Sequence, residues 1–392
     1  MPGALAGVRI LDLSWGIAGP LGVLLLAEQG ADVIKVEPPG GDPFRVYDGA
    51  RVWNRSRRSL TLDLRRDEGT AVFRRLAASA DIVVESFRPG VADRLGIGAT
   101  LRDELPRLIH VSCPAYPEGH RLAGRPGYDA LVQASSGQMW EQPGWRMGPI
   151  FLHMPMPSMG ACFLVATGAL AALLARQETG RGQHVTTSLF QGALLYTTQI
   201  WQHVERAPAS FHELMGKSYP PGIHQQMVFE CKDGEWVHVS VMSGLTSTKS
   251  LDEILGLDDA PDPFTFMAMP AEEREAINER RREKFKEWKR DELVAAFQEN
   301  NHAVEAIIRP EEMFSHPQLL ANDMVATVED PELGRTTQIG VPLHLLGTPG
   351  AIRGPQPRAG EHNEAILAEL GYTPTEVGRL TATGVVPPAE VA

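Results

Sequence analysis

A two-domain α/β fold, with a parallel sheet covered on both faces, is what this 392-residue sequence predicts. Short β-branched runs alternate with helical stretches through the first half, the pattern of βαβ units. After about Gln202 that alternation stops, and a hairpin signal and a long charged helical stretch replace it. The length agrees with this change of character, because single hydrophobic cores stop growing at roughly 250–300 residues.

Each element follows from its local residues. "VRILDLS" (Val8 to Ser14) reads as a buried strand, and Gly19-Pro20 then opens a helix through "LGVLLLAEQG", with Pro20 suited to the first turn. "DVIKVE" (Asp32 to Glu37), "DIVVESF" (Asp81 to Phe87) and "LIHVSC" (Leu108 to Cys113) are further strands, with "EGTAVFRRLAASA" a helix between two of them. The longest apolar stretch, Met159 to Ala175, contains Gly160 and Gly168 and falls short of a bilayer span, so it reads as a core helix. "QHVTTSLF" followed by "QGALLYTTQIWQ" repeats the strand-helix theme.

In the second region, "QMVFECKDGEWVHVSVM" (Gln226 to Met242) reads as two strands around Lys232-Asp233-Gly234-Glu235. Pro270 to Asn300 predicts helix, with Phe285, Trp288, Val294 and Phe297 on its apolar side. Arg280-Arg281-Arg282 sit among acids, which favours a solvated helix face over a nucleic-acid site. "GRTTQIGVPLHLLGTP" returns to strand character, and "GEHNEAILAELGY" predicts a closing amphipathic helix.

The net charge of −12 argues against nucleic acid or an anionic membrane as partner. Cys113, Cys162 and Cys231 are few and widely spaced in apolar runs, so buried free thiols are expected rather than disulfides or a metal site. A reducing cytoplasm fits that usage, and "MPGALAGVRILDLS" lacks the basic region and cleavage site of a signal peptide.

Three stretches carry candidate chemistry. "SWGIAGPLG" places Gly16, Gly19 and Gly22 between a strand and a helix, but not at the spacing of a dinucleotide fingerprint; a close helix–strand crossing is the plainer reading. "NRSRRSLTLDL" (Asn54 to Leu64) puts Arg55, Arg57 and Arg58 before a strand, where guanidinium forks either grip phosphates or lie exposed. "ESFRPGVADRLG" adds Phe87, Arg88 and Arg94 at the carboxyl end of a strand, where α/β sheets bind ligands. The converging arginines favour a phosphorylated ligand.

These stretches, together with "GYDALVQASSG", "ALAALLARQETGRGQHV" and "AGEHNEAILAELGY", resemble the class III coenzyme A transferases, or CaiB/BaiF family, in order and spacing across nearly the whole chain. The resemblance implies a Rossmann-like large domain built from residues 1–205 and 326–392, a smaller α+β domain inserted at 206–325, and an interlocked dimer. It implies acyl-CoA and a small carboxylic acid as substrates and no metal. It assigns CoA contacts to Gly16 and Ile17, to Asn54, Arg57 and Arg58, and to Ser86, Phe87 and Arg94.

The family's transferase mechanism needs an Asp at the start of the helix before the "TGRGQ" turn, and counting back from Thr179 that position is Ser158. The family's racemase branch uses a His beside an Asp, where this chain has Tyr128 beside Asp129. A serine ester cannot itself become a CoA thioester, so Ser158 is expected to cap the helix rather than to carry the covalent cycle. Three readings stay open: a subunit whose paralogous partner supplies the Asp, an active enzyme with a relocated group such as Asp129, and an acyl-CoA-binding protein without turnover.

Overall fold

The computed structural model describes residues 2–141, 149–196, 227–239, 249–259, 261, 265–266 and 269–389. Two compact units make up the chain. One holds Met1–Met139, Phe151–Trp201 and His316–Ala392, and the other Trp140–Ile150 and Gln202–Ser315. The expected boundary at 205/206 lies outside the described residues, and residues 316–325 group with the large unit.

Six parallel strands organise the large unit: β1 (Arg9–Asp12), β2 (Asp32–Glu37), β3 (Arg58–Thr61), β4 (Ile82–Glu85), β5 (Ile109–Ser112) and β6 (His184–Thr186), in the order β3-β2-β1-β4-β5-β6. The chain winds outward from β1 in both directions, which is Rossmann-like order and leaves a switch point between β1 and β4. Successive residues point to opposite faces, and both faces are covered. Ile10, Val33, Ile82 and Ile109 join one core, while Leu11, Ile34 and Val83 join the other. Helices α1 (Ala18–Glu28) and α4 (Met156–Thr179) cover the first face, and α2 (Asp67–Ala77) covers the second. Between them in sequence, α3 (Asp129–Ser136) precedes α4, and α5 (Leu189–Leu194) follows it.

Glycines set how closely these layers approach. A Cβ on Gly19 would lie 2.2 Å from Ser14 Oγ, and one on Gly22 would lie 2.7 Å from the Cys162 carbonyl oxygen on α4. Gly19 and Gly22 of "SWGIAGPLG" therefore serve packing. α4 runs 24 residues to Gly180, whose φ of 69° ends it in a left-handed cap. By length and composition it is long enough to cross a bilayer, contrary to the expectation from Met159 to Ala175, yet Ala161, Val165, Ala169 and Ala172 pack it onto the sheet as a core helix.

The small unit has an antiparallel sheet of β7 (Val228–Glu230), β8 (Trp236–Val239) and β9 (Val304–Ile307), in the order β7-β8-β9. Strand β9 was not expected, and Gln226 and residues 240–242 of the expected hairpin lie outside the described residues. The single helical stretch expected from Pro270 to Asn300 is two helices, α6 (Ala271–Phe285) and α7 (Arg290–Glu299). Phe285 stacks on Phe229 with ring centroids 3.9 Å apart, and Phe297 and Leu293 complete the core. The basic run is matched to acids: Arg280 pairs with Asp259, Arg281 with Asp252, and Arg282 with Glu275 and Glu279.

The chain returns to the large unit through a hairpin, β10 (Val325–Asp330) and β11 (Gly334–Ile339), then α8 (Asn363–Glu369) and α9 (Pro374–Ala382). Strand β10 and helix α9 were not expected, so "GEHNEAILAELGY" does not close the fold. A capping box between Thr373 and Glu376 starts α9, and Ile366, Leu367 and Leu380 seal the second face of the sheet. All three cysteines are buried free thiols.

Candidate active site

Parallel strands present their carboxyl ends to one edge of the sheet, and there a cleft of about 750 Å³ opens. Five of the six strands supply walls: Trp15 to Ile17 follow β1, Glu37 and Pro38 end β2, Leu62 to Arg65 follow β3, Ser86 to Arg88 follow β4, and Cys113 to Tyr116 follow β5. Across the switch point, the Trp15 N–H donates to Ser86 Oγ at 2.8 Å, and the Trp15 and Phe87 rings meet edge to face. Gly16 turns there with φ of 78°, a left-handed conformation that glycine adopts without strain.

The geometry brings together seven of the sequence-derived residues: Gly16, Ile17, Ser86, Phe87, Arg94, Asp129 and Ser158 all line the cleft. It does not bring in Asn54, Arg57 or Arg58. Arg57 is buried and donates to Asp12 Oδ2 at 2.6 Å and to the Trp53 carbonyl, so it anchors β1 from within. Arg58 lies at the amino ends of β2 and β3, away from the cleft, and pairs with Asp32 and Glu369. Asn54 is fully buried beneath the surface. Strand polarity gives the physical reason: "NRSRRSL" enters β3 at the wrong end of the sheet, and acids within reach take up its arginines. Their neighbour Arg55 is likewise buried, on Glu28 and the carbonyl of Ile339.

Arg65, Arg88 and Arg125 line the cleft and were not among the assigned contacts, although Arg88 lies next to Phe87. Arg65 pairs with Asp63 at 2.8 Å. Among the described residues, Arg88, Arg94 and Arg125 form no ion pair. The sequence signal that finds Arg65 is its place just after β3; Arg125 stands in a loop and offers none.

Three groups in the cleft bear on nucleophilic chemistry. Burial, with Glu85 and Cys162 nearby, pushes the Cys113 thiol up to about 12, so it stays protonated and unreactive. Ser158 does not cap α4, whose N-cap is Pro155; its hydroxyl and its N–H both donate to the Asp129 carboxylate, at 2.8 Å each. Asp129 begins α3 and reaches across to the first turn of α4. Its carboxylate thus occupies the electropositive end of that helix. His153, the base nearest Ser158 in sequence, is exposed and lies outside the cleft lining. Glu37 is buried at the cleft wall; burial would raise its carboxyl, but Arg45 and Lys35 hold it below its ordinary value. Among the described residues no cluster of three His, Cys, Asp or Glu could hold a metal ion.

Residues 5–363 match the model of CoA-transferase family III. The chain belongs to CoA-transferase family III. This family III chain is 30% identical over 405 residues to succinyl-CoA–D-citramalate CoA-transferase of Chloroflexus aurantiacus, covering 98% of each. It is 28% identical to the beta subunit of succinyl-CoA–L-malate CoA-transferase from the same organism, over 97% of this chain and 98% of that one. Among solved structures, a CaiB/BaiF family protein from Brucella suis superposes with a TM-score of 0.77 at 25% identity, over 94% of this chain and all of that one. As a family III protein, the chain is an enzyme of the transferase class.

Proposed function

We propose that this family III chain binds acyl-CoA in the sheet-edge cleft and takes part in CoA transfer to a small carboxylic acid, as the subunit lacking the nucleophile in a hetero-oligomer. A paralogous partner, threaded with it as an interlocked dimer, supplies the attacking aspartate. What supports this reading is Ser158, at the position where the sequence resemblance expects that aspartate, with its hydroxyl already donated to Asp129. The relatives named as a malate CoA-transferase beta subunit and its alpha subunit supply a precedent for two-chain assembly.

In the transfer, a carboxylate oxygen attacks the thioester carbonyl, the C–S bond breaks, and CoA leaves as thiolate with a mixed anhydride in its place. The thiolate then attacks the enzyme's side of that anhydride, freeing the acyl acid and leaving CoA as an enzyme thioester. The acceptor carboxylate repeats the two steps in reverse. Ser158 cannot serve, because its ester oxygen would have to be replaced by sulfur. In this chain the cleft arginines Arg88, Arg94 and Arg125 offer charge-assisted bonds to the CoA phosphates.

The same Ser158–Asp129 contact favours a second reading, in which Asp129 itself attacks, because its carboxylate stands in the cleft beside the missing group. Expression of this chain alone, and together with a paralogue carrying the aspartate, separates the readings. The first expects no transfer from the lone chain and activity from the co-expressed pair, retained in Ser158→Ala. Transfer by the lone chain that Asp129→Asn abolishes establishes the second reading and ends the first.

A further inference from the structure

Behind the cleft, a buried acid is bonded to the turn that forms its wall. Glu85 ends β4, is 3% exposed, and does not itself line the cleft. Its Oε2 accepts the N–H of Phe87 at 2.7 Å, closing the turn on which Ser86, Phe87 and Arg88 line the cleft. On its other side lie Ser112, its register partner on β5, and His110, whose Nε2 is 3.7 Å from Oε1. Ser112 Oγ bonds His184 Nε2 at 2.8 Å. Burial raises the Glu85 carboxyl above its ordinary value, against the pull of Ser112, the Phe87 N–H and Arg102, with Asp93 adding to the rise. His110 is held neutral beside it. A carboxyl that is costly to bury and lies behind the cleft lining is thus bonded to the turn that forms the wall.

We propose that Glu85 is a positioning residue for the cleft: by accepting the Phe87 N–H it fixes the turn that places Phe87 and Arg88 against the ligand. This rests on the cleft being the CoA site. The turn is also held by Ser86 Oγ, which accepts the Trp15 N–H from the opposite half of the sheet. Loss of the Glu85 bond leaves the turn held by Ser86, by the Phe87 ring on Trp15 and by the Arg88 carbonyl on the Val91 N–H, with the Phe87 N–H no longer fixed and Arg88 less firmly placed.

Two near-isosteric variants separate reach from charge. Glu85→Gln keeps the acceptor in place and loses the charge, whereas Glu85→Asp keeps the charge and withdraws the acceptor by one methylene. Titration calorimetry with CoA, on the full chain with its assembly partner, should give Glu85→Gln within about twofold of the parent and Glu85→Asp weaker by about tenfold, the scale of one lost hydrogen bond. Arg88→Ala should weaken binding too, and combining it with Glu85→Asp should add little, because both act through one turn. Thermal melting of each variant accompanies the titrations. Equal binding by Glu85→Asp and the parent overturns the proposal, as does Glu85→Gln being the weaker of the two, or full additivity with Arg88→Ala. Failure of the parent to bind CoA defeats the cleft assignment instead, and is read before any variant.

Discussion

Two arginine-bearing stretches, Asn54–Arg58 and Ser86–Arg94, look alike in sequence and end in opposite environments. In the first, Arg55 and Arg57 are buried on Glu28 and Asp12, and Arg58 is bridged to Asp32 and Glu369. In the second, Arg88 and Arg94 stand in the cleft and form no ion pair among the described residues. The difference lies in which end of a strand each stretch occupies and in which acids are within reach. An unneutralised guanidinium at the carboxyl edge of a parallel sheet is available to a ligand; one already paired inside the core holds the core together.

The largest test of that contrast is Arg57→Ala. Removing it leaves the buried Asp12 carboxylate with only Lys35, 3.9 Å away, as an opposite charge, and breaking a buried pair costs about 3–5 kcal/mol, so chemical denaturation should show severe destabilisation or no folded protein. A folded Arg57→Ala protein of parental stability that has lost only CoA affinity would break the comparison. Next, Arg94→Ala should leave the melting temperature within error and weaken CoA binding by about 1.5–3 kcal/mol, the range for a charge-assisted bond, measured by calorimetry.

A buried ionisable group sharpens the point further. His110 Nε2 is buried without a hydrogen-bond partner, and burial, with His184 and Arg102, lowers its pKa from 6.5 to about 3. Between these values the unfolded chain binds a proton that the folded chain refuses. Stability from this residue is therefore complete above pH 6.5 and falls as pH drops toward 3, by about 1.4 kcal/mol per unit inside the window. His110→Gln should flatten that part of the stability–pH curve relative to the parent, as read by urea unfolding at several pH values. An unchanged acid slope would place the titration elsewhere. The smallest effect is expected of Arg58→Ala, whose partners Asp32 and Glu369 are partly solvated: at most about 1 kcal/mol of stability and unchanged CoA affinity.

Much of the large unit was legible because its strands are buried on both faces and read as apolar runs: "DVIKVE" is β2 to the residue. Strands β9 and β10 were not, since "VEAI" and "VATVED" alternate weakly and gain their identity from the strands they pair with. Helix α9 hid behind Gly371, which reads as a terminus, although Thr373 and Glu376 carry a capping signal. The cleft-lining positions of Phe87 and Arg94 were readable from their place after a strand, whereas Ser86 came from the family resemblance. Arg57 was misread because its partner Asp12 is 45 residues away in sequence, and no local pattern announces a buried pair. The surroundings of Ser158 were half readable: the absence of an acid from the first turn of its helix was visible, but not the carboxylate that Asp129 delivers from another helix.

The Arg55 side chain, which reaches the carbonyl of Ile339 across 284 residues of sequence, also constrains how the molecule is made. At roughly 5–20 residues per second, a ribosome leaves that guanidinium and its Glu28 partner waiting some 15–60 s for the strand that covers them. Asn363 meets Thr61 later still, and Ile366, Leu367 and Leu380 then close the second face of the sheet. The sheet is thus among the first parts translated and among the last finished. A nascent chain stays open during that interval, so a stop codon that removed only α8 and α9 would leave an early-synthesised sheet with one face covered only in part, by α2 and its neighbours, and the rest open to solvent and to the chaperones of its host.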